Sequence, residues 1–365
     1  MSCQNARLNF ATISSHSLRL AKQFPVLSRL VIGITDDALP ELGLREGDIV
    51  FPSSISSLCV QAFDERNTAE LLHVTQKSIK RIRTLEVELF SLECEDLDWL
   101  SLFTDLAPPL RLRIGPPEAV SHPLRPFCVI PSNMALTVES SDGYIRTIRL
   151  TDDEFCGPDD CDNGTYWEQF EQFSRLRPLR AAVQDVTVVH AFLPVVFALE
   201  ELPALRCLDI DLDELSGPFW MTEATEDAND YAGGDRTPPE RPTSFPRQHF
   251  AGQLHAKDEA GFDGIPISHS VWERNVTDCA LLNVFDEAEE EYMLQCPALE
   301  TVVLRTSHSQ TRVSTRQLAH FGRALGLLDR AEGNRPRLRL LGVGLSSAKY
   351  GRLHLRVFDE VEQVL

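Results

Sequence analysis

The chain has 365 residues, a formal net charge of -20, 43% hydrophobic residues and 25% charged ones. That length suits two ordinary domains or one elongated repeat array, and the average hydrophobic content excludes wholesale disorder. The carboxylate surplus argues against a nucleic-acid backbone or an anionic membrane as partner.

From the N-terminus, Met1 to Arg7 lacks a basic start followed by an apolar run, which predicts no signal peptide. No stretch reaches the ~20 uncharged apolar residues of a membrane helix. The nine cysteines are scattered, and Cys59, Cys207 and Cys296 lie in apolar segments. This reads as a reduced protein of the cytoplasm or nucleus.

One phrase recurs. Pro, any residue, Leu, two residues, an aliphatic, one residue and a second aliphatic follow Pro25, Pro203, Pro297 and Pro336. Each copy comes after a predicted helix: Ser17 to Gln23, Pro194 to Glu200, Asp286 to Gln295, and Ser314 to Arg330. Proline lacks an amide donor and disfavours helix in the residue before it, so it ends one element and releases the next as a strand. A looser form without the proline gives further strands at Ile55-Leu58-Val60, Ile82-Leu85-Val87, Ile145-Ile148-Leu150 and Val183-Val186-Val188. A degenerate unit fits near Met134 to Val138.

Between the strands, apolar residues at every third position predict helices at Asp96 to Leu106 and Thr165 to Leu176. The final helix starts on the capping-box pair Ser314 and Gln317, with Leu318, Phe321, Leu325 and Leu328 on one face and Gly333 and Pro336 closing it. Two stretches break the pattern. Asp152 to Gly164 is a short acidic excursion, and residues 213–275 are rich in proline, glycine and acid, which predicts a low-order insertion. The expected organisation is a repeat array over 1–212, the insertion at 213–275, and a C-terminal part of the array over 276–365.

No constellation names a reaction. Setting Gly164 at the sixth position of a calcium loop puts Cys161 third and Phe170 twelfth, which lacks the needed carboxylates. Cys156 and Cys161 have no second pair at zinc spacing. Gly342-Val343-Gly344 supplies no third glycine for a dinucleotide. The sequence therefore predicts no catalytic residue, cofactor or metal. The competing reading is an α/β hydrolase or transferase assembled from distant residues, recognisable by a cleft at the strand ends of a doubly wound sheet.

The helix-Pro-x-Leu-x-x-Leu-x-Leu units, their irregular lengths and the acidic insertions resemble the leucine-rich-repeat regions of fungal F-box-like proteins. The resemblance implies an irregular α/β repeat solenoid with a curved, mainly parallel sheet and flanking helices. It further implies a protein-interaction role, with substrate recognition for a ubiquitin-ligase scaffold. The candidate F-box start, Leu39-Pro40-Glu41-Leu42, runs into Gly43, Gly47, Asp48 and Pro52, so no F-box is recognisable.

Side chains alternate along a strand, so the residues between the inward aliphatics face out and line up from repeat to repeat. That row reads Thr84, Glu86, Glu88; Thr147, Arg149, Thr151; Asp185, Thr187, Val189; Cys207, Asp209, Asp211; and Thr301, Val303, Arg305. The predicted partner-binding residues are the charged ones: Glu86, Glu88, Arg149, Asp185, Asp209, Asp211 and Arg305. The row has no uniform charge, which favours a protein partner of unknown identity over a small anion or a nucleic acid.

Overall fold

A computed structural model describes residues 5–10, 26–34, 50–62, 71–73, 75, 77–89, 99–115, 134–150, 171–213, 293–307, 311–346 and 355–364. The chain divides into two compact units, Met1–Asp153 and Glu154–Leu365. Each is built on a mainly parallel sheet with few helices, an α/β construction.

In the first unit four strands stack in parallel and in chain order: β1 (Asn5–Phe10), β2 (Arg29–Ile34), β3 (Ser57–Ala62) and β4 (Thr84–Leu89). Their register has no stagger from β2 onward. Leu30 lies beside Leu58 and Leu58 beside Leu85, with Ile32, Val60 and Val87 forming the next column. All six are buried. Burying stacked aliphatics of this kind contributes ~1.5–3 kcal/mol per side chain, and any one-residue slip would turn the whole set to solvent.

The parallel run then gives way to antiparallel pairing. β5 (Leu110–Gly115), β6 (Met134–Ser140) and β7 (Ile145–Leu150) form an antiparallel meander, and only β7 pairs with β4. The motif at Ile145-Ile148-Leu150 is therefore not a repeat unit. Ile148 pairs with Val87 rather than Leu85, and the place beside Leu85 belongs to Arg146. The degenerate unit near Met134 to Val138 is likewise a hairpin arm.

The second unit carries β8 (Val183–Val189), β9 (Cys207–Asp211), β10 (Thr301–Arg305), β12 (Arg337–Leu341) and β14 (Glu360–Val364), all parallel and in chain order. β11 (Arg312–Ser314) and β13 (Gly344–Ser346) form a separate parallel pair. Val186, Leu208, Val302 and Leu338 make one buried column, and Val188, Ile210, Leu304 and Leu340 the next.

A single turn starts most of these strands. The amide of Leu205 donates to the carbonyl of Leu202, and the same i to i+3 bond joins Leu299 to Cys296, Ile82 to Ile79, Ile55 to Pro52 and Phe358 to Leu355. The last residue of each turn is buried, and three residues on comes the first inward position of the strand, buried at Leu58, Leu85, Leu208 and Val302 and half-buried at Val361. In Leu202-Pro203-Ala204-Leu205 and Cys296-Pro297-Ala298-Leu299 the proline occupies the second turn position, where its fixed φ is already correct. The copy at Pro336 is different. Leu338 pairs with Val302 and hence aligns with Leu208, not Leu205, so that proline lies immediately before the strand rather than in a turn.

Within the described residues the helical segments do not follow the full apolar stripes. Within Asp96 to Leu106 the described helical segment is a single 3-10 turn, Trp99–Leu102, and within Thr165 to Leu176 it is the 3-10 helix Glu171–Leu179, which buries Phe173 and Leu176. α1 spans Leu193–Phe197 and α2 Thr315–Ala324. The capping box forms as expected: Ser314 Oγ accepts from the Gln317 amide at 3.1 Å, and Gln317 Oε1 accepts from the Ser314 amide at 2.7 Å. The end comes earlier than Gly333. Gly326 adopts φ +65°, its amide donates to Arg323 and that of Leu327 to Gly322, a Schellman closure. The reversal buries Leu327 and leaves Leu328 half exposed.

The predicted helices at Ser17 to Gln23 and at Asp286 to Gln295 up to residue 292 lie outside the described residues. So do the excursion Asp152 to Gly164, the F-box candidate Leu39 to Leu42, and the 213–275 insertion apart from Asp213. Among the described residues no helix is long and apolar enough to cross a membrane.

Candidate functional site

The outward residues of the parallel strands form ordered rows. In the second unit the register sets Asp185, Cys207, Thr301, Arg337 and Glu360 side by side. The next row is Thr187, Asp209, Val303, Arg339 and Glu362, and the third is Val189, Asp211, Arg305, Leu341 and Val364. Four of the sequence-predicted residues, Asp185, Asp209, Asp211 and Arg305, thus share one surface.

Charges on that surface are paired across strands. Arg305 reaches back to β9, with Nε 3.3 Å from Asp209 and Nη2 3.3 Å from Asp211. Arg339 donates to Glu362 at 2.8 Å, and Arg337 stands 3.3 Å from Glu360. Burial raises the Asp209 carboxyl, the Arg305 guanidinium opposes that rise, and Asp211 adds to it. Asp209 and Asp211 share one cation, so the β8–β9 side of the face keeps an excess of negative charge. Cys207 sits among these acids and its thiol is raised, first by burial and then by Asp185 and Asp209. The thiol is therefore a neutral wall element rather than a nucleophile.

The strand ends carry a polar cluster that the sequence did not announce. Asp213 Oδ1 accepts from the Thr306 hydroxyl at 2.6 Å and from the Ser307 amide at 2.8 Å, tying the end of β9 to the end of β10. His190 is buried, with Nδ1 3.3 Å from the carbonyl oxygen of Asp211. Burial lowers its pKa, and the Asp211 carbonyl and the Asp211 and Asp213 charges only partly offset this. Gly342 closes the same end. At φ +71° a Cβ there would meet the Thr306 carbonyl oxygen at 2.5 Å.

In the first unit Arg149 forms an ion pair with Glu86, and the hydroxyls of Thr137 and Thr147 bond across β6 and β7 at 3.1 Å. Glu88 departs from the expectation of an outward, accessible acid. It pairs in register with Arg149 and is only 4% exposed, so a partner cannot read it at the surface. Cys59, also in an outward position of its strand, is buried, and its thiol is pushed up to about 12 by burial and then by Glu86 and Glu88.

The residue most at odds with its surroundings is Arg146, 1% exposed in the core beside Leu85. Its Nη1 donates to Ile82 at 2.9 Å and Nη2 to Ile79 at 3.5 Å, the two carbonyls of one strand-starting turn. Asp105 lies 3.3 Å from Nη2, and the Tyr144 ring centroid 5.5 Å from the guanidinium carbon. Burial lowers the Arg146 pKa, while Asp105 supports the charged form. Arg330 repeats the arrangement in the second unit, donating to the carbonyls of Cys296 and, at 3.2 Å, of Leu299. The strand period places Arg146 with Ile148 and Leu150 on the inward face, a signal present in the sequence that an Arg conceals.

Among the described residues no group of three or more His, Cys, Asp or Glu side chains is placed to hold a metal ion. No family model, curated protein or solved structure matches this chain.

Proposed function

We propose that this chain is a leucine-rich-repeat-like scaffold whose outward strand rows bind a protein partner. The observation that carries the reading is the unstaggered stacking of parallel strands in chain order, most of them started by the same turn and most presenting polar residues at matching outward levels. A doubly wound sheet instead reverses its strand order, and its ligands sit at the reversal. Neither parallel run reverses. Rows of mixed charge on a rigid ladder suit a folded protein surface or an extended segment better than a small molecule, which needs an enclosing pocket. In an F-box-like setting that partner is the substrate delivered to a ubiquitin-ligase scaffold.

The test exchanges one ion pair. Asp211→Arg combined with Arg305→Asp keeps opposite charges adjacent but inverts the pattern a partner meets. Affinity capture from native cell extract, read by mass spectrometry, should lose its specific partner with this variant by about tenfold or more while the circular dichroism stays unchanged. Equal recovery by both forms would overturn the outward-face reading. Recovery of ligase-scaffold subunits with the wild-type chain would support the F-box-like setting.

A further inference from the structure

The first unit holds a concentration of positive charge that the outward rows do not use. From Leu71 to Arg83 there is no Asp or Glu, yet the segment contains Lys77, Lys80, Arg81 and Arg83 in a chain whose overall balance is -20. Residues 71–73, 75 and 77–79 are helical, with Leu71, Leu72, Thr75, Ser78 and Ile79 buried. His73, Lys77, Lys80, Arg81 and Arg83 are exposed. A step of four residues sets His73 and Lys77 on one face of the helix, and the exposed Lys80-Arg81 pair follows in the turn that ends it.

Among the described residues Lys77, Lys80 and Arg81 form no ion pair, whereas Arg146 and Arg149 of the same unit do. Arg83 is positioned by donation from Nε to the Gly143 carbonyl at 3.1 Å, and a Cβ at Gly143 would come within 2.8 Å of its Nη2. The turn thus leaves room for the guanidinium and holds it at the rim of the basic face. A helix end favours one or two cations, but four within seven residues repel one another unless an anion sits among them.

We propose that this face, built on Lys77, Lys80, Arg81 and Arg83, docks a short acidic segment of a partner protein. The rest of the chain selects that chemistry. Beyond about 8–10 Å the patch is screened, and an extended polyanion such as nucleic acid or an anionic bilayer meets the repulsive net charge. A short Glu- or Asp-rich segment touches the patch alone. The proposal is independent of the outward strand rows.

The experiment uses the full chain and a short fluorescein-labelled Glu-Ser peptide at about 0.1 M salt, where the 8–10 Å screening holds, followed by fluorescence anisotropy. The triple variant Lys77→Glu, Lys80→Glu, Arg81→Glu should bind it about tenfold or more weakly, since each exposed pair contributes modestly and three are reversed. The triple Gln variant should fall between, and Arg316→Glu, which removes an exposed cation from α2, should bind as the wild type does. Unchanged circular dichroism verifies folding in each case. Failure of the wild-type chain to bind the peptide, equal binding by the Glu variant, or tighter binding of duplex DNA or phosphatidylserine vesicles than of the peptide would each overturn the proposal.

Discussion

Replacing Arg146 tests whether a buried cation holds the junction between the parallel run and the antiparallel meander. Arg146→Ala removes one member of a buried pair, a change that typically costs about 3–5 kcal/mol. Asp105 keeps 21% of its side chain in water, so the abandoned charge is partly solvated and the lower end applies. Adding the lost packing of the arginine stem, unfolding free energy should fall by about 3–4 kcal/mol. Arg146→Met retains the stem but removes the guanidinium donor from the Ile82 carbonyl, while the Ile79 carbonyl keeps the Ile82 amide, and should cost about 1–3 kcal/mol. Asp105→Asn, acting at the solvated end, should cost about 1 kcal/mol. Urea titrations followed by circular dichroism measure all three, and the double variant supplies the coupling between the two groups. An Arg146→Ala chain within about 1 kcal/mol of wild type, or a vanishing coupling to Asp105, would show that the core tolerates the site as ordinary apolar space and that no buried cation holds the junction.

Gly342→Ala combines an unfavourable positive φ with a 2.5 Å contact to backbone oxygen, and should lower the thermal midpoint by an amount equivalent to about 2 kcal/mol or more; a neutral effect would show that the β10 and β12 ends are not packed this closely. Cys59 and Cys296, both with thiols raised to about 12 by burial, should resist iodoacetamide at pH 8 in the folded chain and react only on unfolding. Rapid native labelling of either would contradict their burial. His190 has a folded pKa below its unfolded value of about 6.5. The unfolded chain therefore binds the extra proton first, and the stabilisation is full above pH ~6.5 and declines as pH falls below it. His190→Gln should flatten the pH dependence of stability in that window, where the Asp211 and Asp213 charges act on the ring. An unaltered slope would remove His190 as its source.

The sequence carried the parallel strands but not the breaks between them. Leu205, Leu208 and Ile210 announce a strand because aliphatics at fixed spacing have few other uses, and their columns appear where the phrase places them. Pro336 matched the phrase and missed the register, since a proline beside a strand satisfies the same letters whether it lies inside a turn or after one. Phe358 and Val361 belong to the stack without the phrase. Their turn is made by backbone bonds that any residues can supply. The hairpin at β6 and β7 escaped because alternating burial looks alike in parallel and antiparallel strands. Glu88 was placed on the outward face by alternation, and its register agrees, yet it is buried. Alternation fixes a direction and says nothing of what else covers a surface. The pairing of Arg305 with Asp209 and Asp211 was equally hidden, because neighbouring strands are some 90 residues apart in the chain.

Hydroxyl-radical footprinting of the chain with its captured protein partner tests the outward-face account most directly. The side chains of Val189, Leu341 and Val364 share one outward row, while Met293 and Leu328 are exposed outside the outward strand rows. The account predicts that the partner slows oxidation of Val189 and Leu341 severalfold and leaves Leu328 and Met293 unchanged. Protection confined to Leu328 and Met293, with the row residues oxidised as in the free chain, would contradict it.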